Sequence, residues 1–348
     1  MDASLATVTP RRVALHVWSI LTLGLTFLLL CSGGIVTSKG VGMSVPDWPT
    51  TYGYNMFLFP LSGWVGGIFY EHSHRLIASV VGLMTMILAV WTLSMEPRRW
   101  VKNLVVIAFL AVCVQGMLGG LRVSLYKNEI GIFHATLAQA FLCLLGVICI
   151  VTSPRFIRGR WDVFLPDSTL RNLAIAATVL IFLQLGIGAS MRHAHAGLSI
   201  PDFPLAYGKL IPDTSESVIE SINAARVADD QMPTTVAQIW LQMAHRAMAV
   251  VIFVFVGAVA ARSFLNPLAR SAAVWCGVWF LMICAQIALG AWTVWSNKAA
   301  DVATAHMALG AFSLLFGVIL CFRLYRGDQS ARFIMPDKAP VREFSQVV

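Results

Sequence analysis

Charge is scarce in this chain. Only 12% of its 348 residues are Asp, Glu, Lys or Arg, about half the share of an ordinary soluble domain. Strict polar–apolar alternation is missing as well, which excludes a membrane β-barrel, and open strands could not satisfy their backbone in lipid. Cysteine is absent from every loop. All seven (Cys31, Cys113, Cys143, Cys149, Cys276, Cys284, Cys321) fall in apolar runs without a C-x-x-C pair. That excludes a disulfide-framed domain and a thiolate metal cluster, and leaves them as small buried hydrophobes. The first twelve residues hold neither a cleavable signal nor an Arg/Ser-rich transit peptide, so a bacterial cytoplasmic membrane is expected.

What remains is apolar. Mean hydropathy is +0.75, and eight runs at about 13–36, 72–95, 103–122, 131–152, 171–191, 238–261, 271–293 and 301–323 are each long enough to cross a bilayer. The fold class is therefore an all-α polytopic membrane protein with eight transmembrane helices. The net charge of +8 is a topology signal. Arg11, Arg12, Arg98, Arg99, Lys102, Arg155, Arg158, Arg160 and Arg171 lie on one side with Arg262, Arg270, Arg323 and Arg326. Residues 192–238, on the other side, hold six acids. By the positive-inside rule both termini are cytoplasmic and the long loops face outward. No nucleic-acid partner is implied.

The chain repeats itself. Gly42–Gly53, with Pro46-Asp47-Trp48-Pro49, matches Gly197–Gly208, with Pro201-Asp202-Phe203-Pro204, at an offset of 155. His74-Arg75 matches His245-Arg246 and Gln115–Gly120 matches Gln286–Ala291 at 171; His134 matches His306 at 172. This reads as a tandem duplication of a four-helix unit. Each unit has an even number of spans, so the copies share an orientation and a pseudo-twofold axis runs along the membrane normal. The expected divisions are a tail at 1–12, halves at 13–152 and 171–323, a cytoplasmic linker at 153–170 and a loose cytoplasmic tail at 324–348.

Spans 2, 4, 6 and 8 all enter from the outer face, and His74, His134, His245 and His306 are expected within their first two turns. One imidazole per helix and two helices per half make two facing pairs, which suit the axial positions of two haem irons. Zinc or copper would need further ligands that do not recur in both halves. A single such histidine could equally be a hydrogen-bonded interior residue; four in matched register are harder to explain so. Arg75 and Arg246, next to the ligands, are expected to meet haem propionates. The halves differ in one respect: Glu71 stands three residues before His74, where the second half has Gln242. An acid at one site places proton handling or cation stabilisation there and leaves electron transfer to the other. His72, about 200° around its helix from His74, falls outside the ligand set. His193 and His195 are expected in solvent near the second site. Asp47 and Asp202 are expected to fix loop turns.

The duplicated Pro-Asp-aromatic-Pro loops, Glu71-x-x-His74-Arg75, Gln115-Gly116 with His134, His245-Arg246, and Gln286 with His306 together resemble the haem A synthases, the CtaA/COX15 family. The resemblance covers essentially all eight spans. It implies an oxidoreductase acting on CH groups, oxidising the C8 methyl of haem O to the formyl of haem A for cytochrome c oxidase. It further implies substrate haem between His74 and His134, haem b between His245 and His306, and Glu71 as the catalytic acid. Haem O synthase, cytochrome oxidase assembly, membrane lipid and a quinone or other electron acceptor follow as partners; homo-oligomerisation is left open. Many members carry a cysteine pair in an outer loop, and this chain has none there. A disulfide relay or brace therefore has no counterpart. The main rival reading is a dihaem b-type electron-transfer cytochrome, and a third is a haem carrier or assembly factor.

Overall fold

In a computed structural model the described residues are 9–159, 164 and 167–334. Eight long helices carry the apolar runs: α1 (Pro10–Ser38), α2 (Gly66–Met95), α3 (Arg99–Ser124), α4 (Asn128–Thr152), α6 (Ser168–His193), α8 (Val236–Leu265), α9 (Ala273–Trp295) and α10 (Ala300–Ile334). Two short helices, α5 (Pro154–Ile157) and α7 (Glu216–Ala228), lie in connections. Strands β1 (Thr50–Thr51) and β2 (Tyr54–Asn55) form a small hairpin after α1. The chain is a multi-pass membrane protein, as its hydropathy requires.

Helices α1 to α4 close one ring by packing α1 on α2, α2 on α3, α3 on α4 and α4 on α1. Helices α6, α8, α9 and α10 close a second in the same order. The rings meet through α1 on α10, α4 on α6 and α4 on α10, the pattern that exchanging two like halves produces. Val81, Leu88, Val105, Leu145 and Ile148 centre the first core, and Ala177, Val256, Cys276, Trp279 and Leu320 the second. All seven cysteines lie unpaired in spanning helices.

Three expectations need correction. Helix α2 starts at Gly66, five residues before Glu71, and α8 starts at Val236 on a capping box of Thr235 with Gln238. His74 and His245 therefore lie about 12–14 Å along their helices, a turn deeper than expected, while His134 and His306 lie about 9 Å along theirs. The presumed loose tail after Arg323 is helical as far as Ile334; residues 335–348, like the tail 1–8, lie outside the described residues. The second long loop contains α7, whose polar sequence gives no apolar run to announce it.

Candidate haem sites

The two long loops fold alike. Asp47 Oδ1 accepts from Tyr52 N–H at 2.7 Å and its Oδ2 from Gly53 N–H at 2.9 Å. Asp202 accepts from Tyr207 and Gly208 N–H at the same distances. Both loops carry a cis X-Pro bond, Trp48-Pro49 and Phe203-Pro204, and left-handed backbone at Tyr52 and Tyr207. The two aspartates thus fix turns. Each loop is then pinned to the helix that follows it. Glu71, only 4% exposed, accepts Val45 N–H at 2.9 Å, and Gln242 accepts Ile200 N–H at 2.7 Å. Glu71 is therefore an interior group in the second turn of α2 and no solvated helix-start acid.

Arg75 and Arg246 complete the latch. Arg75 Nη1 donates to the carbonyls of Asp47 and Thr50; its Nη2 donates to Val45 and to Glu71 Oε1 at 2.8 Å. Arg246 donates to Leu205 and Asp202 carbonyls, both at 2.8 Å. Their terminal nitrogens are committed to loop backbone, which competes with the propionate role expected of them. His72 is buried, 3.2 Å from Thr51 Oγ1 and against Phe59 and Trp64, apart from the four-histidine set. His195 is exposed, but His193 is not in solvent near the second site: it packs on Gly131 of α4, three residues before His134.

The four matched histidines are held by one repeated device. A Cβ added at Gly33, Gly119, Gly188 or Gly290 would lie 3.1, 3.4, 3.3 or 3.0 Å from the Cε1 of His74, His134, His245 or His306. Each imidazole thus presses on a glycine of the preceding span. Three of these glycines follow a glutamine by one turn on the same face. Gln115, Gln184 and Gln286 donate through Nε2 to the backbone carbonyls of His134, His245 and His306 at 3.0, 2.9 and 2.8 Å. The sequence contained this signal as Gln-x-x-x-Gly, written three times; in the fourth place Leu29 precedes Gly33.

His245 and His306 face each other with ring centroids 6.4 Å apart. Two metal–nitrogen bonds of about 2 Å, plus roughly 1 Å from each nitrogen to its ring centre, need about 6 Å, so a six-coordinate iron fits between them. His306 Nδ1 lies 3.1 Å from the Gln286 carbonyl, which can only accept, so that nitrogen carries the proton and Nε2 keeps its lone pair for a metal. His74 Nδ1 lies 3.2 Å from Ser32 Oγ. The Nδ1 atoms of His134 and His245 and the Oε1 atoms of the three glutamines are buried without partners. Buried polar atoms left so gather where a further group belongs. Among the described residues no cluster of three or more His, Cys, Asp or Glu side chains is set to hold a metal. A porphyrin supplies four equatorial nitrogens of its own and asks only two ligands of the protein. The residues present fit a haem.

Residues 55–319 match the family described as cytochrome oxidase assembly protein, COX15-CtaA. The chain belongs to this family. It is 26% identical over 315 residues to a protein named heme A synthase from Geobacillus kaustophilus, covering 86% of this chain and 87% of that relative. Proteins of the same name from Lysinibacillus sphaericus and Exiguobacterium sibiricum are also 26% identical, over 314 and 310 residues, covering 86–87% of this chain and 91% of each relative. Family membership and the paired histidines converge on haem.

Proposed function

We propose that this chain is a haem A synthase of the bacterial cytoplasmic membrane. It would oxidise the C8 methyl of haem O to the formyl of haem A, for cytochrome c oxidase. The observation that carries this reading is the histidine–glycine device, repeated four times and facing one pair of rings at haem-iron spacing. Family membership and the relatives' names support it. The change is R–CH3 + H2O → R–CHO + 4 H+ + 4 e−. Water supplies the oxygen in two hydroxylations, and the gem-diol loses one water. The electrons leave for an acceptor of the quinone class or another carrier.

In this reading His74 and His134 bind the iron of the substrate and so set its reacting edge relative to α2. His245 and His306 hold haem b, which supplies one-electron transfer when bound. Glu71 lies one turn before His74, and each of its oxygens accepts one hydrogen bond. Each keeps a second lone pair, with which Glu71 can take up a proton or face positive charge building on the methyl carbon. The basic ends support a topology with both termini in the cytoplasm and the long loops outside.

The test is reverse-phase analysis of haems from cells expressing this chain beside a haem O synthase. Haem A should appear, and should vanish with His74→Ala while the haem b band stays. Cells that accumulate only haem B and haem O would overturn the proposal. One observation favours a dihaem electron-transfer cytochrome instead: Gln242 holds its loop as Glu71 does, so the acid is not unique in its structural task. Purified protein containing haem B alone at both sites would select that reading.

A further inference from the structure

The latch formed by Arg75 and Arg246 leaves open which cations meet the carboxylates that any haem brings. The helices that carry the cradle glycines supply two others. Arg122 lies three residues beyond Gly119, and Arg192 four beyond Gly188, each one turn nearer the long-loop face on the side that holds a ligand histidine. The remaining cradles carry threonine at that place: Thr37 above Gly33 and Thr293 above Gly290. By the repeat offsets Arg122 corresponds to Thr293 and Arg192 to Thr37. Each half therefore has one arginine over one of its two imidazoles.

The surroundings of these two arginines are cationic. Arg122 is an electrostatic neighbour of His74, His134 and His193. Its Nε is buried without a partner, and its side chain forms no hydrogen bond or ion pair among the described residues. The one carboxylate that acts on it is Glu71, already engaged by Arg75 and the Val45 amide. Arg192 donates to Ser38 Oγ at 2.9 Å and meets no acid among the described residues; its charge acts on His306, His193 and Lys298. Lys298, in the loop before α10, is held below the ordinary lysine range by burial and then by Arg192. Guanidinium charge at membrane depth without a counter-ion is costly, and a carboxylate taken in the guanidinium fork relieves it.

We propose that Arg122 and Arg192, with Lys298 beside the second, are the carboxylate seats of the two haems. Arg122 receives a propionate of the haem held by His74 and His134, and Arg192 one of the haem held by His245 and His306. This rests on the haem-site reading above. It makes the arginine adjacent to each ligand a loop latch, and the arginine across the ring the anchor for the porphyrin.

The full-length protein, purified from haem-limited cells, is titrated with haemin and with haemin dimethyl ester, which has the same ring and no propionate charge. The Soret band reports binding. His245→Ala isolates the first site and His74→Ala the second. Arg122→Met in the first background and Arg192→Met in the second should weaken haemin binding about tenfold or more and leave ester binding unchanged. Arg→Lys at each position should restore much of the preference for haemin. Retained ester binding also shows that the pocket is folded. Equal loss of both probes, or loss of neither, overturns the proposal. Histidine variants that still bind two haems with unchanged spectra would instead overturn the haem-site reading beneath it.

Discussion

Glu71 and Gln242 occupy the same place in the two halves and hold the same loop amide, so the pair separates shape from charge. Glu71→Gln should keep the loop, the haem content and the thermal stability, since the second half shows that an amide fits. Haem A formation should fall by about a hundredfold or more if the charge takes part in the chemistry, measured by haem extraction. Glu71→Ala should in addition destabilise by about 1–3 kcal/mol, because Val45 N–H and Arg75 lose a buried acceptor. At the second site, a methyl at Gly290 would sit 3.0 Å from His306 Cε1. Gly290→Ala should displace that ring and lower haem b content, read by pyridine haemochrome, with the first site unaffected. The four histidines were legible because duplication wrote one pair of them twice. Their seats were not, since a glycine in an apolar span reads equally as helix packing. Arg122 and Arg192 drew no reading from the sequence, because neither has an arginine counterpart in the other half to mark it.

The loops show the same division at the scale of an element. Their repeated Pro-Asp-aromatic-Pro motif announced a turn, and the aspartates make it; what they are latched to required three dimensions, because Arg75 reaches back 25 to 30 residues for its carbonyls. Burial by itself raises the Asp47 pKa. The Gly53 amide, the Thr50 hydroxyl and the Tyr52 amide outweigh it and hold the carboxyl below its ordinary range. A depressed folded value means that this stabilisation is present above the unfolded pKa of about 3.9 and is lost as pH falls through the folded value. Hydrogen-exchange protection over residues 44–55, taken relative to the intrinsic rate at each pH, should therefore hold at neutral pH and fall only below about pH 4. Asp47→Asn should make exchange fast at pH 7, since an amide has one acceptor oxygen where the loop uses two.

For the molecule as a whole, hydropathy found all eight spans, with only the start of the second, at Gly66, off by more than about a turn, because lipid leaves the backbone no other choice. How the halves meet was not legible, since seam residues and lipid-facing residues are equally apolar. The seam is tight. A Cβ at Gly146 of α4 would lie 2.3 Å from Leu315 Cδ1 of α10. Gly146→Leu should therefore cost about 1–3 kcal/mol by overpacking, seen as a lowered melting temperature, and it should perturb both haem bands together.

Helices α4 and α10 touch each other, and each also bears an imidazole of its own half. The two copies consequently lean on one another through the helices that carry those imidazoles, meeting at Gly146 and Leu315, deeper in the membrane than the rings themselves. Neither could be pulled away without stripping protein from a histidine-bearing helix of its sister. What began as a repeat has become a couple joined along one seam, so that a change at the seam itself reaches both sides at once.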